Sequence, residues 1–108
     1  MMRFGLKEET IAKICSVFEK FPQVEKVILY GSRAMGNYKN GSDIDITLIG
    51  GDDLTLQVLF KIIDEIDDLM LPYSFDISLY KHINDKDVID HIQRVGQIFY
   101  TKQSASVQ

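Results

Sequence analysis

Residues 43–49 alternate between polar and apolar side chains, and this alternation constrains the fold more than any other feature of the sequence. The segment reads Asp-Ile-Asp-Ile-Thr-Leu-Ile. Neighbouring side chains of a strand point to opposite faces, so Asp43, Asp45 and Thr47 share one face and the apolar residues share the other. The sequence therefore predicts a strand with one buried face and one face that carries two carboxylates.

Two further strands flank this segment in the chain. Val24 to Tyr30 is β-branched and apolar and ends at Gly31, and Pro72 to Tyr80 alternates so that Asp76 lies on its polar face. A short helical turn and a loop are predicted for residues 32–42, because glycine and asparagine are frequent there. A short extended piece is predicted at residues 97–100.

Three helices are predicted from apolar residues at helical spacing. The first covers residues 7–20, and the last begins at a cap near Asp85 and stops at Gly96. The middle helix is capped by Asp52 or Asp53, and its predicted buried stripe is Leu54, Val58, Ile62, Ile66 and Leu69. The order α-β-turn-β-α-β-α predicts a small α/β or α+β fold.

The length of 108 residues allows one core and one site. We expect a single domain over residues 1–100 and a polar, frayed tail over residues 101–108. The single Cys15 excludes an intramolecular disulfide and is expected in the core. No apolar run approaches the roughly 20 residues that span a bilayer, and the first residues lack the apolar core of a signal peptide. These features predict a cytoplasmic protein without a membrane segment.

The net charge of −4 argues against autonomous binding to nucleic acid. Such binding rests on clustered cations, and the sequence shows no stripe of Lys or Arg.

A set of aspartates and a Gly-Ser pair together indicate chemistry on a phosphate group. Asp43 and Asp45 project in parallel at roughly 6 to 7 Å, which suits oxygen ligands of hard cations, although a solvated strand face would look the same. If the strand of Asp76 lies beside them, three carboxylates meet, and such crowding is costly without a cation. Gly31-Ser32, at the end of an apolar strand, lets backbone approach a phosphate and offers a hydroxyl.

Gly31-Ser32, ten intervening residues and Asp43-Ile44-Asp45 resemble the signature of the polymerase-β-like nucleotidyltransferase superfamily. Phe75-Asp76-Ile77 fits its third carboxylate. The fuller string from Leu29 to Asp45 resembles the minimal nucleotidyltransferase (MNT) branch, and the resemblance covers about residues 7 to 100.

The resemblance implies a small mixed sheet backed by helices and magnesium-dependent chemistry on ATP. It implies that one or two Mg²⁺ ions are held by Asp43, Asp45 and Asp76, and it assigns nucleotide contacts to Gly31, Ser32, Arg33 and Ser42. For Arg33, surface packing is the alternative. Tyr38, in the loop between the two motifs, is the aromatic residue that we expect to contact the base.

Members of this branch are often encoded beside helical HEPN-domain RNases, which they adenylylate as antitoxins. The resemblance thus implies transfer of AMP from ATP to a hydroxyl of a HEPN partner, with Asp76 helping to deprotonate the acceptor. Two alternatives stay open: a binding module that neutralises the partner by occlusion, and the catalytic subunit of a small-molecule nucleotidyltransferase. A homo- or hetero-oligomer would supply the missing acceptor site. His82 and His91 are expected at surface or boundary positions without a functional role.

Overall fold

The computed structural model describes residues 2–103, and its first elements are a small hairpin and a helix. Strand β1 (Met2–Arg3) pairs antiparallel with β2 (Leu6–Lys7) through a turn in which Phe4 and Gly5 both have positive φ. The hairpin was not predicted. Helix α1 (Glu8–Glu19) follows and buries Ile11, Ile14 and Phe18, as their spacing predicted. Val17 is buried as well, whereas Cys15, which was expected in the core, is only half-buried.

The predicted strands form one four-stranded mixed sheet. The remaining elements are β3 (Val24–Tyr30), α2 (Ser32–Met35), β4 (Ile44–Gly50), α3 (Leu56–Asp67), β5 (Phe75–Leu79), a 3₁₀ turn (Tyr80–His82), α4 (Lys86–Val95) and β6 (Gln97–Thr101). The strand order is β5-β4-β3-β6. Strand β3 runs antiparallel to β4 and β6, whereas β4 and β5 are parallel.

The two faces of the sheet have different roles. Val27, Leu29 and Ile46 are fully buried on the face covered by α1 and α3. The opposite face carries Tyr30 and Asp45 and is partly covered by α4, which contacts β3. The alternation along β4 thus separates the core from a polar face, as the sequence predicted.

Several predicted boundaries differ from the structure. Strand β4 begins at Ile44 rather than Asp43. The side chain of Thr55 caps α3 by accepting a hydrogen bond from Val58 N–H at 3.3 Å, so the predicted cap at Asp52 or Asp53 is wrong. Leu59 joins the buried stripe of that helix, and Val58 and Leu69 are only half-buried.

The C-terminal strand is longer than predicted. Strand β6 continues through Thr101, and Lys102 N–H donates to the Glu25 carbonyl at 2.9 Å. The predicted tail therefore starts too early, and its residues 104–108 lie outside the described part of the chain. Within residues 2–103, no helix has the length and apolarity that crossing a membrane requires.

Candidate active site

Three polar residues lie side by side across three neighbouring strands. Asp45 of β4 is the register partner of Tyr30 on β3 and of Asp76 on β5. Adjacent strands are about 4.8 Å apart, so the two carboxylates share one edge of the polar face. Asp43 precedes β4 by one residue, is exposed and lies on the same side by alternation. The fold thus brings Asp43, Asp45 and Asp76 to one end of the sheet.

The environment of Asp45 is unfavourable for negative charge. Burial raises the pKa of Asp45 above its ordinary value, and the nearby charges of Asp76 and Asp43 raise it further. The pKa of Tyr30 is also raised, first by burial, with the charges of Asp76 and Asp45 adding to the effect. A hydrogen bond with Ser78 opposes that shift. Burial is thus the first cause of both pKa shifts, and the neighbouring carboxylates add to each.

Gly31 ends β3 in a conformation that side chains disfavour. Its φ is 77° and its ψ is −159°, a region occupied almost only by glycine. A Cβ at this position would overlap Oδ2 of Asp45. Ser32 then begins α2, and its hydroxyl makes no hydrogen bond within residues 2–103. Gly31 and the Asp45 carboxylate are consequently in direct contact.

A cavity of about 460 Å³ opens over this contact. One side is formed by sheet residues, and α4 closes the other side with three residues from one face of the helix. Its lining residues are Tyr30, Gly31, Asp45, Asp76, Asp87, Val88 and His91. Of the site residues predicted from the sequence, Gly31, Asp45 and Asp76 line this cavity, whereas Ser32 and Asp43 are not among its lining residues. The three α4 residues were not predicted to belong to the site.

His91 is the residue that the sequence reasoning missed. Gly31 N–H donates a hydrogen bond to its Nε2 at 3.2 Å, and its ring meets Tyr30 edge-on with 6.2 Å between centroids. His91 is half-buried, as the expected boundary position implies, but its contact with Gly31 was not predicted. The available signal was that His91 shares a helical face with Asp87 and Val88, but nothing in the sequence showed that this face meets Gly31.

Arg33, Ser42 and Tyr38 lie outside the cavity lining. The Arg33 side chain is buried, and it donates to the Ser42 carbonyl at 3.1 Å and to the Phe4 carbonyl at 2.8 Å. Its guanidinium stacks on Tyr38 and on a second ring, with 5.3 and 5.1 Å to the two centroids. Ser42 Oγ accepts from Lys39 N–H at 2.8 Å. These residues hold together the loop between the two motifs, and in this arrangement none faces the cavity.

The three carboxylates suit a hard divalent cation. Within residues 2–103, no three acidic, His or Cys side chains already converge as metal ligands. The donor set nevertheless consists of carboxylate oxygens, which Mg²⁺ prefers. The pKa of Asp45 is raised first by burial and then by repulsion from Asp76 and Asp43, and a bound cation would favour the charged form of all three carboxylates. On charge and ligand chemistry, Asp43, Asp45 and Asp76 therefore fit Mg²⁺.

Comparisons with known proteins show the family of this chain. Residues 12–105 match the family described as polymerase beta, nucleotidyltransferase. A relative from Methanocaldococcus jannaschii, provisionally named a protein adenylyltransferase, is 33% identical over 76 residues, which are 68% of this chain and 77% of the relative.

Two solved complexes contain chains of the same fold. One is a toxin-antitoxin complex with AMP-PNP, whose chain has a TM-score of 0.67 and 19% identity, with 91% of this chain and 76% of that chain covered. The other is a tri-AMPylated HEPN toxin of Shewanella oneidensis with its MNT antitoxin, with a TM-score of 0.64, 14% identity and 88% and 72% coverage. The fold and the resemblance are thus confirmed, and the chain belongs to the polymerase-β nucleotidyltransferase family.

Proposed function

We propose that this chain transfers AMP from ATP to a hydroxyl group of a partner protein in a magnesium-dependent reaction. The observation that carries the proposal is the pairing of Asp45 with Asp76 beside the Gly31 turn. Membership of a nucleotidyltransferase family makes phosphoryl chemistry the natural use of these carboxylates. The protein acceptor is supported by the relative that is provisionally named a protein adenylyltransferase.

Asp43, Asp45 and Asp76 would hold one or two Mg²⁺ ions. When bound, Mg²⁺ neutralises the triphosphate and stabilises the charge on the leaving pyrophosphate. The absence of a Cβ at Gly31 makes room for the Asp45 carboxylate beside the turn, and the Ser32 hydroxyl is available to donate to a phosphate oxygen. Arg33 contributes indirectly in this proposal, by fixing the loop that ends at Ser42.

Asp76 acts as the base that takes the proton of the acceptor hydroxyl. Its carboxylate is exposed, lines the cavity and accepts no hydrogen bond from residues 2–103. The acceptor oxygen attacks the α-phosphorus, the bond between that phosphorus and the bridging oxygen breaks, and pyrophosphate leaves. The hydroxyl proton passes to the Asp76 carboxylate.

The surface of α3 supports a protein partner. Leu56, Phe60 and Ile63 follow one another at spacings of four and three residues and are all exposed. Ile63 also lines a cavity of about 360 Å³ between α3 and β5, which has both apolar and polar lining residues. An exposed apolar stripe on a small domain commonly marks a site of association. We propose a HEPN-domain protein as the partner, because the fold is shared with a chain of the complex between a HEPN toxin and its MNT antitoxin.

The same stripe favours a second candidate function, in which the domain neutralises its partner by covering it. Occlusion requires the apolar contact but not the carboxylates. The two functions therefore predict different effects of removing charge at the cavity, which makes them separable by mutation.

The deciding experiment combines the chain with the protein encoded beside its gene, ATP and Mg²⁺, and follows intact mass. The proposal predicts mass gains of whole AMP units on the partner, and no gain with Asp45→Asn. The result against it is an unmodified partner in a stable complex, which would favour occlusion. Neutralisation that persists in an Asp43→Asn, Asp45→Asn, Asp76→Asn triple variant would also favour occlusion.

A further inference from the structure

We propose that His91 is a positioning residue for nucleotide binding, acting through the backbone of Gly31. The inference deepens the proposed function and rests on the assignment of Gly31 and Ser32 to the phosphates. It concerns a residue 60 positions away in sequence, on the helix that forms the far wall of the cavity.

The hydrogen bond defines the chemical state of His91. Gly31 N–H is the donor and Nε2 is the acceptor, at 3.2 Å. A ring nitrogen accepts only when it carries no proton, so the neutral imidazole must hold its proton on Nδ1. The structure thus assigns one tautomer to this histidine, and that assignment can be measured.

The Gly31 turn needs external support. A residue in this glycine-only region keeps its conformation only when its surroundings hold it there. Asp45 limits the turn on one side, since its Oδ2 occupies the space of a Cβ. His91 restrains the opposite end of the residue by fixing its amide. Together they determine where the backbone and the adjoining Ser32 hydroxyl meet the phosphates.

The fold does not require His91 to keep α4 in place. Ile92 of the same helix is buried, and its carbonyl accepts Gly96 N–H at 2.8 Å. Gly96 in turn lies against Ile28 of β3. The imidazole is only half-buried and faces the cavity. Removing it should therefore loosen the turn while the helix stays docked.

The variants are His91→Ala, which removes the acceptor, and His91→Gln, whose amide oxygen can replace Nε2. His82→Ala is the matched control, because His82 is exposed and lies outside this cavity. The rate of amide hydrogen exchange at Gly31 measures the strength of its hydrogen bond to His91 without any ligand. The effect of this hydrogen bond on nucleotide binding is measured by the affinity for AMP-PNP with Mg²⁺ and by the KM and kcat for ATP. Imidazole ¹⁵N chemical shifts of the wild type report the tautomer.

We expect faster exchange at Gly31 in His91→Ala, and affinity for AMP-PNP about fivefold weaker, as the loss of one hydrogen bond implies. KM should rise by a similar factor with kcat changed less, the midpoint of thermal unfolding should be retained, and His91→Gln should recover most of the affinity. His82→Ala should match the wild type.

The inference is overturned by a proton on Nε2 in the wild type, by unchanged exchange and affinity in His91→Ala, or by a glutamine variant as impaired as the alanine variant. A wild type that transfers no AMP, with AMP-PNP affinity still dependent on His91, would refute the proposed function and support the inference.

Discussion

The backbone of Gly31 lies against the carboxylate of Asp45 so closely that a Cβ at position 31 would overlap Oδ2. The contact joins the end of β3 to the polar face of β4, two strands that pair antiparallel. It explains why the glycine and the carboxylate belong to one site although 13 residues lie between them. The glycine-serine turn and the carboxylates are therefore one structural unit.

This contact predicts that Gly31→Ala is costly. The new methyl group combines a glycine-only backbone region with a steric overlap, and we expect a loss of about 2–4 kcal/mol in the free energy of unfolding. Denaturant unfolding measures it. Gly36→Ala is the matched control, because Gly36 has φ of 85° but no heavy atom within 4 Å of the place that its new methyl group would take. Equal losses in the two variants would show that the overlap with Asp45 carries no weight.

A second prediction concerns stability and charge at Asp45. Its folded-state pKa is raised, so the folded protein binds the proton more tightly than the unfolded chain does. The protonated Asp45 carboxyl therefore contributes to the free energy of unfolding below the pKa that the group has in the unfolded chain. This contribution is lost as the pH rises through the pKa of the group in the folded protein. Asp45→Asn should therefore unfold at a higher temperature than the wild type at pH 7 in metal-free buffer.

The difference between Asp45→Asn and the wild type should shrink as the pH falls toward 3.8, the ordinary pKa of the group. Thermal unfolding across that range tests it, with Asp64→Asn on the exposed side of α3 as a control. An asparagine variant less stable than the wild type at pH 7 would contradict the account.

Much of the fold follows from the sequence because its signals are local. Alternation predicted β4 and the polar face of Asp45, and helical spacing predicted α1 to within one residue at each end. The β1–β2 hairpin was not predicted, because strands of two residues are too short to show a periodic pattern of side chains. The cap at Thr55 was not predicted, because the acidic pair at residues 52–53 is an equally good N-cap candidate by residue type.

The unpredicted parts of the site depend on tertiary contacts. The family resemblance made Arg33 a candidate nucleotide contact, yet its partners are carbonyls of Phe4 and Ser42 that folding brings to it. His91 was set aside because it is isolated in the sequence from the other candidate site residues. Its hydrogen-bond partner is Gly31, which folding brings to it. Residue spacing places side chains on a face of an element but does not say what that face meets.

A third prediction follows from the burial of Arg33. Arg33→Met leaves the Phe4 and Ser42 carbonyls without their donor and should cost about 2–4 kcal/mol of unfolding free energy. Denaturant unfolding measures the loss. In Arg94→Met, by contrast, only an exposed ion pair with Asp90 is removed, and the expected cost is below about 0.5 kcal/mol. A cost for Arg33→Met as small as that of the control would argue that its guanidinium is not held in the loop.

A fourth prediction concerns the partner surface on α3. Phe60→Asp should weaken binding of the partner protein by at least about tenfold, because a charge would be buried in an apolar contact. Affinity for AMP-PNP should not change. Ile98→Asp on β6 is the control: its side chain is 57% exposed, against 58% for Phe60, and lies at the other edge of the sheet. Calorimetry with the partner distinguishes them, and a larger effect at Ile98 would move the interface to β6.

The central claim is nucleotidyl transfer at Asp43, Asp45 and Asp76, and ATP labelled at the α- or the γ-phosphate tests it most directly. With the partner and Mg²⁺ present, the account predicts that α-label enters protein while γ-label leaves as pyrophosphate. Transfer should stop with a chelator and fall at least about a hundredfold in Asp45→Asn, since a lost metal ligand removes several kcal/mol of transition-state stabilisation. Protein labelled from the γ-phosphate, or α-label transferred undiminished by Asp45→Asn, would contradict the account.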